Sequence, residues 1–511
     1  MINETIWAVK PLSYPIARKQ AFISWRTLVA FGLPFSLYLL TLAPTIYNLD
    51  SAEFTTAAAT GGLVRATGYP LYLLLGNFWS QLPFGDVGYR MNLFSAFTGV
   101  MTIALLECIL RRLRVGPWAT FGALGLLAFS PYFWALSLIA EVYTLHTALM
   151  ALVILLLLRW AERPTPYRLA LAAFVTGLAL GNHASTVLIA PACVWFGLTV
   201  APRRAIAPRS LFLSVAGVLL GLSIYLYLPL RYSAAPAFNY VGFYLGNGEF
   251  IPRNLQTLEG LWWLVSGKSF AHVMLAYHGS ALWGEVIHFG GELWRAFFAV
   301  GIGPGLIGII VLMRRNWRLG GMLLLIFVCV AGFYIDYDVV DKDTMFLPAY
   351  IVWAVWLGIG YQWLFNWVRP TVWEDQFWSQ MQTWLLRGVV VGAVALTVAW
   401  NWRLVDLSDD WSARARGEAI LSQLPPNAII FGWWDTIPVI EYLQLVEGQR
   451  PDVQAINRFL IAPWDMEALI RQEVAHRPVY IDVPSFQLIP LVIAEEEGLV
   501  YRLQPRENPW K

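Results

Sequence analysis

The feature that most restricts this chain is a succession of apolar runs of about 20 residues, the length a helix needs to cross the hydrocarbon core of a bilayer. They recur between residues 27 and 400, separated by short polar segments. Charged residues make up 13% of the 511-residue chain and hydrophobic ones 58%, whereas soluble proteins carry about 25% charged residues. A chain this long and this poor in charge lacks the polar surface to cover a single soluble core. The mean hydropathy of +0.56 agrees, and the reading is an α-helical polytopic membrane protein. A net charge of +2, with no basic tract interleaved with aromatics, argues against a nucleic-acid partner.

Charge bookkeeping orients the spans. The first run, residues 27–46, follows Lys10, Arg18, Lys19 and Arg26. It is too long for a signal-peptide core and lacks a small-residue cleavage site, so it reads as a retained span with a cytoplasmic N-terminus. Further basic clusters follow alternate spans: Arg111/Arg112/Arg114, Arg159/Arg163/Arg168, Arg203/Arg204/Arg209, Arg314/Arg315/Arg318 and Arg369. About eleven spans place all of these on one side. They place the acids Asp50, Glu53, Glu141 and Asp336 to Asp343 on the other. Two extracytoplasmic loops result, 47–90 and 231–292. The apolar patch at 71–79 is too short to cross and reads as a helix on the membrane surface. Residues 1–405 form the transmembrane module. From residue 406 acids, prolines and short β-branched runs appear, and 406–511 reads as a small soluble extracytoplasmic α/β domain. The multi-pass module places the chain in the cytoplasmic membrane.

Charged groups at span ends are costly and mark candidate sites. Asp50 and Glu53, at i and i+3, share one side of a helical turn. A carboxylate there suits general-base chemistry or metal binding. The same spacing equally fits a capping Asp with a Glu three residues on. Glu141 lies between two spans, as a ligand for acceptor or cation or as an ordinary loop acid. His183, in Gly181-Asn182-His183, interrupts an apolar stretch and fits a polar pocket as well as a structural role. Arg231 ends a span on the outer side, where basic residues are scarce, and its fork suits a phosphate. Arg65, Arg90 and Lys342 are further outer cations. Cys108, Cys193 and Cys329 sit in apolar runs without metal-ligand spacing. His272, His278 and His288 are too far apart in sequence for a local metal motif. No P-loop, GxSxG, HExxH or dinucleotide fingerprint occurs in a fitting context.

Several of these residues fall in segments that resemble a known group. The segments are Asp50-x-x-Glu53-Phe54, Gly68-Tyr69-Pro70-Leu71-Tyr72, Arg90-x-Asn92-Leu93-x-Ser95-Ala96, Glu141-Val142-Tyr143, Gly181-Asn182-His183 and Tyr227-Leu228-Pro229-Leu230-Arg231. Together they resemble a prokaryotic membrane family long catalogued as a domain of unknown function. Its animal relatives are protein O-mannosyltransferases, within the GT-C glycosyltransferases. The resemblance implies a GT-C fold, a polyprenyl-phosphate sugar donor, and a protein or envelope-glycan hydroxyl as acceptor, with mannose among the candidate sugars. It makes Asp50 the base of an inverting transfer and Glu53 its neighbour. Arg231, His183, Lys342 and Arg65 become candidates for the donor phosphate, and Tyr69, Arg90, Asn92, Glu141 and Asn182 for acceptor or substrate binding. It requires no metal or other cofactor and admits a divalent cation. Two departures leave metal and donor contacts open: Arg65-Ala66-Thr67 stands where members often carry His-Pro, and Asn48-Leu49 precede Asp50 in place of a double Asp. The rival readings are a flippase of lipid-linked glycans and a non-catalytic membrane scaffold. A transporter places charges at mid-membrane on broken helices, often in repeats, whereas here they gather at the outer surface.

Overall fold

The computed structural model describes residues 24–367, 376–484 and 492–505. Lys10, Arg18, Lys19 and Arg369 lie outside them. Each segment read as a span carries a helix. Six helices are long and apolar enough to cross a membrane, and shorter apolar helices accompany them at Pro117–Ala128, Pro166–Leu180 and Ala184–Val200. Trp25–Thr41 and Ile302–Arg315 complete the set. The helix starts are legible locally. Ser24 accepts from the Thr27 amide in a capping box, and proline occupies the first turn at Pro117, Pro166 and Pro208.

The span Lys342–Trp367 is the hub, with 89% of its apolar window buried. Its contact with Ile302–Arg315 needs glycine, because a Cβ on Gly308 or Gly360 would lie 1.8 Å from a carbonyl oxygen of the opposite helix. Pro208–Ser233 and Gln380–Val405 lie at the rim, only 11% and 17% buried. Their exposed Phe212, Leu219, Leu385 and Leu404 form an apolar surface of the kind lipid covers.

The segments joining the spans are more structured than loops. After the first span come the helices Asp50–Thr60 and Pro70–Ser80, the second matching the apolar patch at 71–79. Residues 231–292, expected as a long loop, contain the hairpin β1 (Gly242–Tyr244) and β2 (Phe250–Pro252), the helix Leu258–Val265, and most of the amphipathic helix Ser280–Ala296. That last helix buries Phe289, Leu293 and Ala296, an i, i+4, i+7 stripe.

The C-terminal region forms a five-stranded sheet. Its strands are β3 (Ile429–Gly432), β4 (Gln454–Asn457), β5 (Val479–Ile481), β6 (Val492–Glu497) and β7 (Val500–Pro505), in the order β4-β3-β5-β7-β6. β3 is parallel to both β4 and β5, while β7 is antiparallel to β5 and β6. All four residues of β3 are buried, as expected of a parallel strand covered on both faces. Ile429 and Phe431 meet the helix Pro463–Glu473. Ile430, on the other face, joins the helices Ser412–Gln423 and Ile437–Leu445. That second cluster also contains Ile46, just past the first span, and Ala52 of the Asp50–Thr60 helix, so the helix Ile437–Leu445 packs the C-terminal region onto the Asp50–Thr60 helix.

Candidate active site

Leu49, with φ +55°, turns the chain sharply after the first span, and a new helix begins at Asp50. Leu49 holds the cap position and no side chain caps the helix, so the capping-box alternative is set aside. The two acids face Arg65. Its backbone amide donates to Glu53 Oε1 at 3.0 Å and its Nη1 to Oε2 at 2.8 Å. Its Nη2 donates to Asp50 Oδ2 at 2.5 Å. The other Asp50 oxygen accepts from Trp434 Nε1 at 3.0 Å, and the Arg65 guanidinium lies 4.3 Å from the centroid of the same indole ring. Glu53 is fully buried, whereas the Asp50 side chain is 22% exposed. Only Asp50 of the pair is open to a substrate.

The electrostatics follow from this packing. Burial pushes Glu53 up to about 7, with Arg65 opposing and the Asp50 charge adding to the rise. Burial alone would lower Arg65, but Asp50 and Glu53 outweigh it and hold the guanidinium well above its usual range. Two more acids act on the same field. Glu141 is raised well above the carboxylate range by burial first, then by the Asp50 and Asp341 charges. Asp341 is raised by burial and then by Asp50. Glu141 is therefore not an exposed loop acid. Its amide donates to Ser95 Oγ at 3.0 Å, and the preceding Ala140 amide donates to Ser51 Oγ at 3.1 Å. These bonds pin the loop to the Val87–Arg112 and Asp50–Thr60 helices. One Glu141 oxygen is buried with no hydrogen-bond partner among the described residues.

The Gly-Tyr-Pro turn and the Gly-Asn-His break form one wall. Leu71 donates its amide to Gly181 O at 3.0 Å. The Tyr69 ring lies between Phe54, 5.1 Å away, and His183, 5.8 Å away. His183 stacks on His146 at 4.9 Å, and Ser185 Oγ bridges the two rings. Asn182 donates to Val142 O at 3.2 Å.

Four of the residues expected at the site are engaged elsewhere. Arg231 donates from Nε to Gly61 O at 2.6 Å and from Nη2 to Thr60 O at 3.3 Å. It caps the far end of the Asp50–Thr60 helix, where a cation meets the negative pole. Lys342 pairs with Glu285 at 2.6 Å and lies over the Tyr277 ring. Arg90 donates to Asp86 O and Leu82 O. Asn92 straps the end of the first span through Ala43 O and Thr45 O, at 3.0 and 2.8 Å. Arg65, expected as an outer cation for the donor phosphate, is clamped by the two acids. The admitted divalent cation would therefore have to compete with that guanidinium for Asp50 and Glu53. A separate cluster does have metal-ligand geometry. His288 and Glu292, one helical turn apart, and Asp343, 55 positions on from His288, bring their ligand atoms within 4.8 Å of one another, while Arg295 pairs with Glu292 at 3.1 Å.

Trp434 and His146 were missed by the sequence reading. The available signal for the first was Gly432-Trp433-Trp434-Asp435, paired tryptophans directly after an apolar strand.

Residues 50–204 match the family model described as the protein O-mannosyl-transferase TMEM260 N-terminal domain. Over this stretch the chain is similar to a TMEM260-type domain. The resemblance read from its motifs holds, and Asp50 is the first residue matched. The chain is 25% identical over 474 residues to protein O-mannosyl-transferase TMEM260 of Mus musculus, covering 87% of this chain and 64% of the mouse protein. It is 22% identical over 475 residues to the Dictyostelium discoideum protein of the same name, covering 84% of this chain and 56% of that one. The chain thus spans less than two thirds of these relatives' lengths. Among solved structures it is similar to ArnT from Cupriavidus metallidurans bound to undecaprenyl phosphate. The TM-score is 0.58 at 12% identity, covering 94% of this chain and 98% of that one. It is also similar to the archaeal oligosaccharyltransferase AglB from Archaeoglobus fulgidus, in complex with an inhibitory peptide and a dolichol-phosphate. There the TM-score is 0.53 at 11% identity, covering 90% and 69%. The fold is that of the GT-C membrane glycosyltransferases.

Proposed function

We propose that this chain is an inverting glycosyltransferase that moves a sugar, mannose by likeness to its named relatives, from a polyprenyl-phosphate carrier to a hydroxyl of a protein or envelope glycan. Asp50 is its general base. The observation that carries this reading is the Asp50 carboxylate itself, open to substrate and held at both oxygens by Arg65 and Trp434. In the proposed step Asp50 accepts the proton of the acceptor hydroxyl as that oxygen bonds to the anomeric carbon. The bond from that carbon to the phosphate oxygen breaks, and the polyprenyl phosphate leaves with the electron pair. Hydrogen-bond donors at both oxygens fix the orientation of the carboxylate. A weak base suffices, because the attacking hydroxyl becomes strongly acidic only as its bond to carbon forms.

Arg65 is the cation we place against the leaving phosphate, since it already stands at Asp50. The Tyr69 and His183 wall, with Asn182 behind it, is the proposed sugar and acceptor side, and Glu141 closes it. Arg231, Lys342, Arg90 and Asn92 hold the frame. Residues 1–405 are taken as the membrane module and 406–511 as an extracytoplasmic domain, with the N-terminus cytoplasmic. In that orientation the bilayer brings donor and acceptor to one plane. The test is sugar transfer in proteoliposomes supplied with a panel of polyprenyl-phosphate sugars and a Ser/Thr peptide. Asp50→Asn is expected to lower kcat by on the order of 100-fold or more. Transfer at the wild-type rate would end the assignment.

A further inference from the structure

We infer that the C-terminal sheet supplies part of the active site, and that Trp434 is the residue through which it positions Asp50. The inference rests on the proposed role of Asp50 and adds to it a second region of the chain.

The sheet places Trp434 where an α/β sheet carries its binding residues. β3 lies between β4 and β5, both parallel to it. The chain leaves β3 for β4 on one side and returns to β5 on the other. Crevices at such a reversal open beyond the carboxyl ends of the strands. Trp433 and Trp434 follow β3 directly, Arg458 follows β4, and Asp482 follows β5. Asp482 accepts from the Trp433 amide at 2.6 Å, which fixes the turn that presents the next indole.

That edge is clamped over Asp50. On the helix after β3, the Tyr442 hydroxyl accepts from the Gly88 amide at 3.3 Å, and Arg414 pairs with Asp86 at 3.6 Å. The Trp434 ring meets Tyr240 at 5.1 Å and Phe459 at 5.4 Å. Tyr240 in turn donates to Glu441 and lies 3.4 Å from Asn457 Nδ2. The indole has little freedom to turn away.

A carboxylate held at one oxygen can still rotate about its Cβ–Cγ bond. Arg65 on Oδ2 and Trp434 on Oδ1 together stop that rotation and aim the remaining lone pairs in one direction. The indole is a neutral donor, so it orients Asp50 through a single N–H bond. Trp434 is thus a positioning residue, and its loss should lower kcat rather than substrate affinity.

The experiment uses the full chain in proteoliposomes with a polyprenyl-phosphate mannose donor and a Ser/Thr peptide. Trp434→Phe keeps an aromatic ring against Arg65 and Tyr240 but removes the N–H. It is expected to lower kcat by about tenfold, with both KM values and the melting midpoint unchanged. Wild-type kcat in this variant, or a loss expressed in KM alone, overturns the inference. Should Trp434→Phe fail to fold, β-(3-benzothienyl)alanine at position 434 keeps the bicyclic shape and replaces N–H by sulfur, and the same kcat loss is expected. Asp50→Asn, run in parallel, separates the two readings. If it abolishes transfer while the Trp434 variants transfer normally, only the present inference fails. If it transfers normally, the general-base reading fails and Trp434 has no base to position.

Discussion

Two groups of acids and arginines stand at opposite ends of the Val87–Arg112 helix, and they differ in how completely the acids are neutralised. At the Arg112 end, Glu107 is 1% exposed and lies 3.3 Å from Arg26 and 3.2 Å from Arg111. It also accepts from the Thr27 hydroxyl at 2.7 Å. One acid there meets two cations. At the other end, Asp50, Glu53, Glu141 and Asp341 share the field of Arg65, and Glu141 keeps an unpartnered oxygen. A neutralised cluster ties helices together. A cluster with excess acid costs stability, and such sites are where function concentrates.

The largest expected effect is on transfer. Asp50→Asn should remove on the order of 100-fold or more of kcat while leaving the melting midpoint in detergent almost unchanged, because Asn still accepts from Arg65. Glu107→Ala should do the reverse. It removes the acid that two arginines share and should cost about 3 kcal/mol of stability, read as a lower melting midpoint, with transfer per folded molecule unchanged. A Glu107 variant that folded normally but lost transfer would break the contrast. Arg231→Ala should cost about 1 kcal/mol through its lost carbonyl contacts. Its KM for the lipid donor should stay at the wild-type value, whereas a raised KM without destabilisation would return Arg231 to the donor phosphate.

The remaining effect is a pH dependence. Burial raises Glu441 to about 8 from its usual 4.5, with the Tyr240 hydrogen bond opposing. The folded protein therefore holds this proton more tightly than the unfolded chain. Its contribution is favourable below about pH 4.5 and is lost as pH rises towards 8. Glu441→Gln should gain stability over the wild type progressively across that window, measured as the difference in melting midpoint at pH 5 and pH 8.

The sequence carried much of this. The spans followed from run length, the α/β character of the C-terminal region from its short β-branched runs, and the Asp50 motif from its position after the first span. The matched family domain and the solved GT-C structures agree with that reading. The partners of individual side chains were not legible. Arg65 and Arg231 both read as outer-face cations of similar standing. The fold gives one to Asp50 and Glu53 and the other to the carbonyls of Thr60 and Gly61. Lys342 likewise looked free until Glu285 met it. His288 looked isolated because its neighbour Asp343 is 55 positions away.

What the sequence determined by itself is whatever depends on local chain physics. Apolar length sets a span, and turn chemistry ends it. Asp50 and Glu53 came within reach of each other for the same reason, since three residues make nearly one helical turn. The tertiary structure decided everything that needs two distant segments to meet. It buried Glu53 and Glu141, whose neighbours arrive from other helices. It also brought Trp434 to Asp50 across 384 positions, because the apolar faces of the sheet and the first helices close over Ile46 and Ala52. Burial and pairing depend on which surfaces exclude water together, and no single stretch of chain encodes that.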